Sequence, residues 1–315
     1  MCKLEKKGNI QMVAGRRISV IDIGSNSVRL MVADVNSSGI KEIFKSLNTT
    51  RLYKNITDDY MLDNESMDTT IRAIAEYVEI ANEKSSDEIY MFATAAVRVA
   101  NNRDEFVKKV REKTRIILEI IPEEKEAEMA FAGVNEGGVC GVIDIGGAST
   151  EIAIGENGVL LEASSAKVGA VKCKEKMGKD DDEEQILKFV DSILVPESAN
   201  TISYTMDKNK IKWYGVGGTI TTMAAMLREM EAYDSEIINE TIISFSELGK
   251  MITRLQKMNM EQRTEVAGMQ KKRADIIVYG LCILKAVMKN CNIKEIQASD
   301  RDNLHGYIKL LTKET

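Results

Sequence analysis

Short apolar runs rich in Val and Ile alternate with longer amphipathic stretches along most of the chain, a pattern that predicts an α/β architecture. The runs ISVIDIG and VRLMVADV read as strands parted by the turn residues SNS, and IKEIFKSL after NSSG reads as a third strand. A helix follows from Asp63 to Ser85, with Met67, Ile71, Ile74, Val78 and Ala81 at helical spacing behind an acid-rich start. EIYMFATAAVR reads as a buried strand running into a helical or turn segment, then NNRDEFVKKVREKT as a helix and RIILEII as a strand ended by Pro122. EEKEAEMAFAGV opens with acids that suit a helix N-terminus. NEGGVCG marks a crossing, after which GVIDIGGASTEIAIGENGVLLEASS predicts three more strands with a hairpin at GENG. Helices near 170–178 and 183–195, a strand at KWYGVGG, helices at TITTMAAMLREM, SELGKMITRLQKM and RADIIVYGLCILKAVMKN, a strand at IKEIQAS and a helix at DRDNLHGYIKLLTK complete the reading. The expected division is a first domain over 1–132, with the helix of about 300–315 packing back on it, and a second over 133–299.

The opening of each half is nearly the same sequence. Val20, Ile21, Asp22, Ile23, Gly24 and Ser27 recur as Val142, Ile143, Asp144, Ile145, Gly146 and Ser149. An internal repeat sets the architecture: two similar halves, each with an acid and a glycine turn after its first strand, predict a cleft in which the two turns face one ligand.

The turns suit phosphate. In DIGSNSVR, Asp22 can orient water or a hydrated metal ion, Gly24 permits a tight turn, and Ser25, Asn26 and Ser27 add short donors beside backbone N–H groups, with Arg29 just beyond. DIGGASTE repeats the plan with Asp144, Gly146, Gly147, Ser149 and Thr150 and adds Glu151. Two acid-bearing turns could share a metal-bound phosphate chain, since Mg2+ takes one or two carboxylates plus water and phosphate oxygens. A single DIG read alone would be only a strand ending in a turn. A third glycine turn, at Gly217 and Gly218, opens a helix at Thr219, and helix N-termini attract anions. No Gly-Lys-Ser/Thr follows, which disfavours a Walker-type nucleotidase.

Composition narrows the partners. The 315 residues are 44% hydrophobic, 29% charged and 5% aromatic, with net charge −6. That balance belongs to a globular protein without an overall basic field, so neither nucleic acid nor membrane is an expected partner. The polar, basic N-terminus is not a secretory signal, and five scattered cysteines point to a reducing cytoplasm without a structural zinc site. The one histidine, His305, reads as a surface or packing residue, which weighs against a Ser-His-Asp mechanism. The acidic run Lys179 to Glu184 reads as a solvated loop with acids at a helix start.

Taken together, VIDIGSNSVRL, FATAAVRVANNRDEF, EEKEAEMAFAGV, VIDIGGASTE, SAKVGAVKCKEKM, GVGGTITTMAAM, KKRADIIVYGLCIL and QASDRDNLHGYI resemble, in order and spacing, the exopolyphosphatase and guanosine pentaphosphate phosphohydrolase family. The resemblance implies an actin-like (ribonuclease H-like) duplicated ATPase fold with the active site in an interdomain cleft. It implies Glu126 as the carboxylate that activates water, with Asp144 and Glu151 placing the metal ion or the nucleophilic water and Asp22 as a further metal holder. Arg98 would clamp phosphate. Gly24, Ser25, Asn26, Ser27, Gly146, Gly147, Ala148, Ser149, Thr150, Gly217, Gly218 and Thr219 would line the phosphate path. The implied cofactor is Mg2+, with Mn2+ able to replace it. The implied substrates are inorganic polyphosphate first and guanosine pentaphosphate next, in a cytoplasmic homodimer of the short, two-domain form. Three departures stand out: Ala148 where the family has a third glycine, Pro122-Glu123 where it has Ser-Gly, and RLYKNITDD in place of a glycine-bearing loop. An ATP-dependent kinase of the same fold, or a non-catalytic binder of phosphate-rich ligands, are the other readings.

Overall fold

The computed structural model describes residues 15–54, 56, 59–134, 137–178, 182–198 and 211–313. The basic N-terminal stretch with Cys2, part of the NEGG crossing and Asp180 and Asp181 of the acidic run lie outside them.

Two mixed sheets form the frame. In the first, β1 (Arg16–Ile23), β2 (Val28–Asn36) and β3 (Gly39–Asn48) run antiparallel, and β4 (Glu88–Ala93) and β5 (Glu119–Ile120) add in parallel on the other side of β1, giving the order β3-β2-β1-β4-β5. In the second, β6 (Val139–Ile145), β7 (Thr150–Glu156) and β8 (Val159–Ala166) repeat the meander. Strands β9 (Lys212–Val216) and β11 (Glu295–Ala298) then add in parallel, and β10 (Ile242–Ser244) closes the edge, so the order is β8-β7-β6-β9-β11-β10. The repeated topology is that of the duplicated actin-like fold implied by the family resemblance, and its two similar halves are those the sequence repeat predicts. Even the irregularities recur: a register shift between Val32 and Ala33 in β2 has its counterpart between Ile154 and Gly155 in β7. Asn157 and Gly158, both at positive φ, make the hairpin expected at GENG.

Apolar faces decide where the longer helices lie, while α2 (Ala95–Val99), α5 (Ala170–Met177) and α10 (Met260–Thr264) are short. Around the first sheet, α1 (Asn64–Glu83) and α3 (Arg103–Thr114) bury Met67, Ile74, Phe106 and Val110 against Ile21, Leu30 and Met91. Around the second, α6 (Glu183–Ser198), α7 (Gly217–Leu227), α9 (Phe245–Gln256) and α11 (Ile277–Asn290) share one core with Ile143, Ile152 and Ile296. Two helices join the sheets. Helix α4 (Glu123–Val134) sets Ala127, Ala130 and Phe131 on Val142 and Ala153 of the second sheet, while its Met129 joins the cluster on the first. Helix α12 (Asn303–Lys313) sets Leu304 and Ile308 on Ile18, Val20 and Phe92, and Tyr307 stacks on Phe92 at 5.1 Å between ring centroids.

The strand expected across RIILEII is confined to Glu119–Ile120, because its partner β4 offers pairing only at Phe92 and Ala93, and Ile117 is left exposed. The long helix expected from Arg273 begins at Ile277, after a 3-10 turn at Lys271–Arg273. The short α8 (Ser235–Asn239) and β10 were not expected; Asp234 caps the first through Glu236 N at 2.9 Å. His305 is a packing residue, partly buried beside Glu42 with 3.6 Å between Nε2 and the carboxylate. Burial lowers its pKa to about 4 despite nearby Asp302. Among the described residues, no helix is long and apolar enough to cross a membrane.

Helices α4 and α12 touch backbone to backbone. A Cβ on Gly306 would overlap the Met129 carbonyl, and one on Gly133 would lie 2.5 Å from the carbonyl oxygen of Asp302. Gly306→Ala should therefore destabilise the protein by about 1–3 kcal/mol through overpacking. The expected readout is a lower urea midpoint at unchanged m-value; an unchanged midpoint would show that the crossing yields freely.

Candidate active site

The two DIG turns close in the same way. Gly24 N donates to Ser27 O at 3.0 Å and Gly146 N to Ser149 O at 3.0 Å. Each turn is then tied from behind. Thr50 N and Arg51 N donate to Asn26 O, and Tyr53 N to Ser25 O; in the second half Ala170 N donates to Gly146 O, and Val171 N and Lys172 N to Gly147 O. With their carbonyls held outward, the turns meet face to face, and a Cβ on Gly147 would lie 2.7 Å from Ser25 Cβ. This close approach is why glycine stands at 147.

The sheet register decides which side chains stand opposite the repeated aspartates. Asp22 at the end of β1 pairs across to Arg29 on β2; Asp144 at the end of β6 pairs across to Glu151 on β7. Directly opposed residues share a face, so one copy presents opposite charges and the other two like charges. Arg29 Nε donates to Asp22 at 2.9 Å, and its other arm pairs with Asp302 just before α12. The next residue, Asn303, donates through Nδ2 to Asp144 at 3.0 Å. The start of α12 thus connects both repeated aspartates. Asp302 is held at about 2: burial alone would raise it, but Arg29, Lys45 and His305 together overcome that. Asp22 moves upward, because burial outweighs its one partner Arg29 and Oδ1 has no hydrogen bond.

The like-charged copy has no such cation. Asp144 is raised to about 6 by burial despite Arg29, with Asp302 and Asp22 adding to the rise. Glu151, 1% exposed, is raised well above its usual range by burial and by the nearby charges of Glu126 and Asp144. Its Oε1 accepts from Ser165 Oγ at 2.8 Å, and Oε2 has no partner. Glu126 sits one turn into α4. Burial raises it to about 7 against the pull of Arg98, with Asp144 and Asp22 pushing the same way.

These groups surround a narrow cleft floor of about 70 Å3. Asp22, Gly24, Ser25, Asn26, Ser27, Glu126, Asp144, Gly146, Gly147, Ser149, Gly217 and Gly218 all line it. Five of the residues expected from the sequence stand behind the lining instead. Arg98 donates through one nitrogen to Glu126 Oε2 at 2.8 Å and to Ile121 O at 2.9 Å, with Glu123 at 3.7 Å from its Nε. Glu151 lies under the floor. Thr150 Oγ1 donates to Val168 O, Ala148 packs into the first-sheet core with Val171, and Thr219 is buried against Gly280. Ala148 does not adopt positive φ, so its methyl costs no backbone strain.

Arg29, seen from the sequence only as lying just beyond the first turn, and Asn303 and Arg273 line the floor without a site role having been assigned to them. Asn303 ties Asp144 to α12, and Arg29 ties Asp22 to it. Arg273, partly buried, donates through Nε to Gln270 Oε1 at 2.7 Å; desolvation and Arg29 lower its pKa to about 10. It fills the space where a Cβ on Gly218 would stand, and Gly217, at φ +83, lies where a Cβ would meet Asp144 at 2.6 Å. The third glycine turn therefore lets Asp144 and an anion-seeking arginine approach α7. Arg29, Gly217, Gly218 and Arg273 also wall an adjoining chamber of about 550 Å3, with Phe44, Lys45 and Tyr233.

Among the described residues no three His, Cys, Asp or Glu side chains gather as a complete metal cage. One or two carboxylates suffice for a magnesium ion that keeps water and phosphate ligands. The opposed pair Asp144 and Glu151, with an unpartnered buried oxygen on Glu151, fits that requirement.

Comparison with known proteins identifies the family. Residues 31–312 match the model of the Ppx/GppA phosphatase family, and the chain belongs to that family. It is 32% identical over 306 residues to the bifunctional 3-dehydroquinate synthase/phosphatase of Fusobacterium nucleatum, covering 91% of this chain and 45% of that protein. It is 30% identical over 311 residues to exopolyphosphatase 2 of Mycobacterium tuberculosis, covering 92% of this chain and 97% of that one. The crystal structure of the Aquifex aeolicus Ppx/GppA family member superposes with a TM-score of 0.77 at 25% identity, over 95% of this chain and 98% of that one.

Replacing Arg29 by leucine would leave Asp22 and Asp302 buried without their cation. Arg29→Leu should cost about 3–5 kcal/mol near pH 8. The sign with pH follows from Asp302. Its depressed folded pKa contributes stability above about pH 4 that is lost as pH falls toward about 2. The variant lacks that contribution, so its deficit should stay level between about pH 8 and pH 5 and shrink as pH falls below about 4, as read by urea midpoints across both ranges.

Proposed function

We propose that the protein is an exopolyphosphatase that hydrolyses the terminal phosphoanhydride of inorganic polyphosphate with Mg2+ and releases orthophosphate. One observation carries this reading: Asp144 and Glu151 stand opposed beside Glu126 where the two phosphate-type turns meet. Three buried carboxylates, of which only Glu126 has a cation bonded to it, suit a site completed by a metal ion and a polyanion.

Each side chain then has a task. The turns Gly24–Ser27 and Gly146–Ser149, with Arg273, hold the terminal phosphoryl oxygens at the narrow cleft floor. Arg98 fixes Glu126 through Oε2, leaving Oε1 to take a proton from water. The water oxygen bonds to the terminal phosphorus as the bridging P–O bond breaks, and the shortened chain leaves as the anion. Asp144, on the floor, would hold the magnesium ion with Glu151 adding its charge from behind, and the ion when bound supplies charge neutralisation for the phosphoryl oxygens. Such catalysis is mostly positioning and electrostatics. Guanosine pentaphosphate is the second substrate reading, favoured by the adjoining chamber, whose Phe44 and Tyr233 could flank a base beyond the phosphates.

Orthophosphate release from long polyphosphate, guanosine pentaphosphate and ATP with Mg2+ tests the proposal. Release from polyphosphate should fall about 100-fold or more in Glu126→Gln, the low end of a general base's contribution. Binding without release from any substrate would make the protein a sensor and reject the hydrolase reading. In the active enzyme kcat/KM should decline as pH falls below about 7, because Glu126 must be ionised to accept the proton. A flat profile down to pH 5 would remove Glu126 from that role.

A further inference from the structure

Far from the cleft floor, helix α9 carries a feature the hydrolytic site does not use. Lys250, Arg254 and Lys257 recur at helical spacing on its outer side and are all exposed, while Leu248, Met251, Ile252 and Leu255 bury the opposite side. None of the three cations makes a salt bridge with a described residue. Gly249 leaves the helix surface open between them: a Cβ there would meet only Lys285 Nζ, at 3.7 Å. Lys285, from α11, forms the facing wall with its ammonium 5.9 Å from the Phe245 ring centroid and paired to Glu183. The result is a groove whose charged lining residues are all basic, in a chain of net charge −6.

We propose that this groove is an exosite for inorganic polyphosphate, which holds the distal part of a long chain whose end is hydrolysed in the cleft. The proposal rests on the exopolyphosphatase reading for the identity of the polyanion, but the groove's charge stands independently of it. An extended phosphate chain carries a charge on every unit and needs no pocket, only a row of cations with little side-chain bulk between them. That is what Gly249 provides. Ile276, at the cleft floor, and Lys285, at the groove, are separated along α11 by about 14 Å at ~1.5 Å per residue. Only a chain long enough to cover that distance can engage both, so the groove favours long chains and leaves short ones unaffected.

The test uses Lys250→Glu, Arg254→Glu and Lys257→Glu combined, all at exposed positions, with circular dichroism and urea midpoint as checks on folding. Binding of fluorescently labelled long polyphosphate is measured in the Glu126→Gln background, so that it does not depend on turnover. The triple variant should bind about tenfold or more weakly, with a shallower dependence of log Kd on log salt, because fewer counterions are released. Tripolyphosphate binding should not change. In the otherwise wild-type enzyme KM should rise for long chains and not for tripolyphosphate, at unchanged kcat. Unchanged affinity for long polyphosphate would overturn the exosite, and so would preference for duplex DNA or polyglutamate over polyphosphate at this groove. If the wild-type enzyme hydrolyses nothing yet the triple variant still loses long-chain binding, the hydrolase reading fails and the groove stands.

Discussion

The arrangement depends on burying ionisable groups where the two halves meet. The repeated aspartates end β1 and β6, and both are reached from the first residues around α12: Asp302 through Arg29 to Asp22, Asn303 directly to Asp144. Isolated buried carboxylates are costly, so a charged floor of this kind persists only where partners are fixed in place. Because α12 packs on the first sheet by Leu304 and Ile308 and crosses α4 at Gly306, the connection is built into the core.

Duplication supplies the frame, and divergence at one register position supplies the chemistry. Opposite Asp22 stands an arginine that bonds its Oδ2, so the charge is paired within the protein although Oδ1 has no partner. Opposite Asp144 stands a glutamate, and the pair is unsatisfied. The first copy is thereby suited to stability and the second to a ligand that brings positive charge. Glu126, coming from the helix that bridges the sheets, adds a third carboxylate and is kept in position by Arg98, whose other contacts are the Ile121 carbonyl and Glu123.

Much of this was legible in the sequence, for identifiable reasons. The twin DIG turns were readable because each is local, and their repetition predicted a shared cleft. Glu126 was distinguishable from Glu123, Glu124 and Glu128 only through family resemblance, since helix periodicity alone does not say which acid faces inward. Arg29 was visible beside the first turn, but its bond to Asp302 joins segments far apart in sequence, and no local pattern announces it. Asn303 and Arg273 were hidden for the same reason. Arg98, Glu151, Thr150, Ala148 and Thr219 mark the converse limit. A motif shows that a residue is near the site, while side-chain direction decides whether it lines the floor or supports it from behind. The edges of the second sheet were the least readable part, as three residues of β10 offer too little pattern to stand out from a turn.

The most direct measurement is a single-turnover reaction with long polyphosphate and Mg2+ in water enriched in 18O, with mass analysis of the first orthophosphate released. A water delivered by Glu126 to the terminal phosphorus predicts one 18O atom in that orthophosphate and none in the remaining chain. Unlabelled orthophosphate, with the label found at the new chain end or nowhere, would contradict terminal attack by water in this cleft.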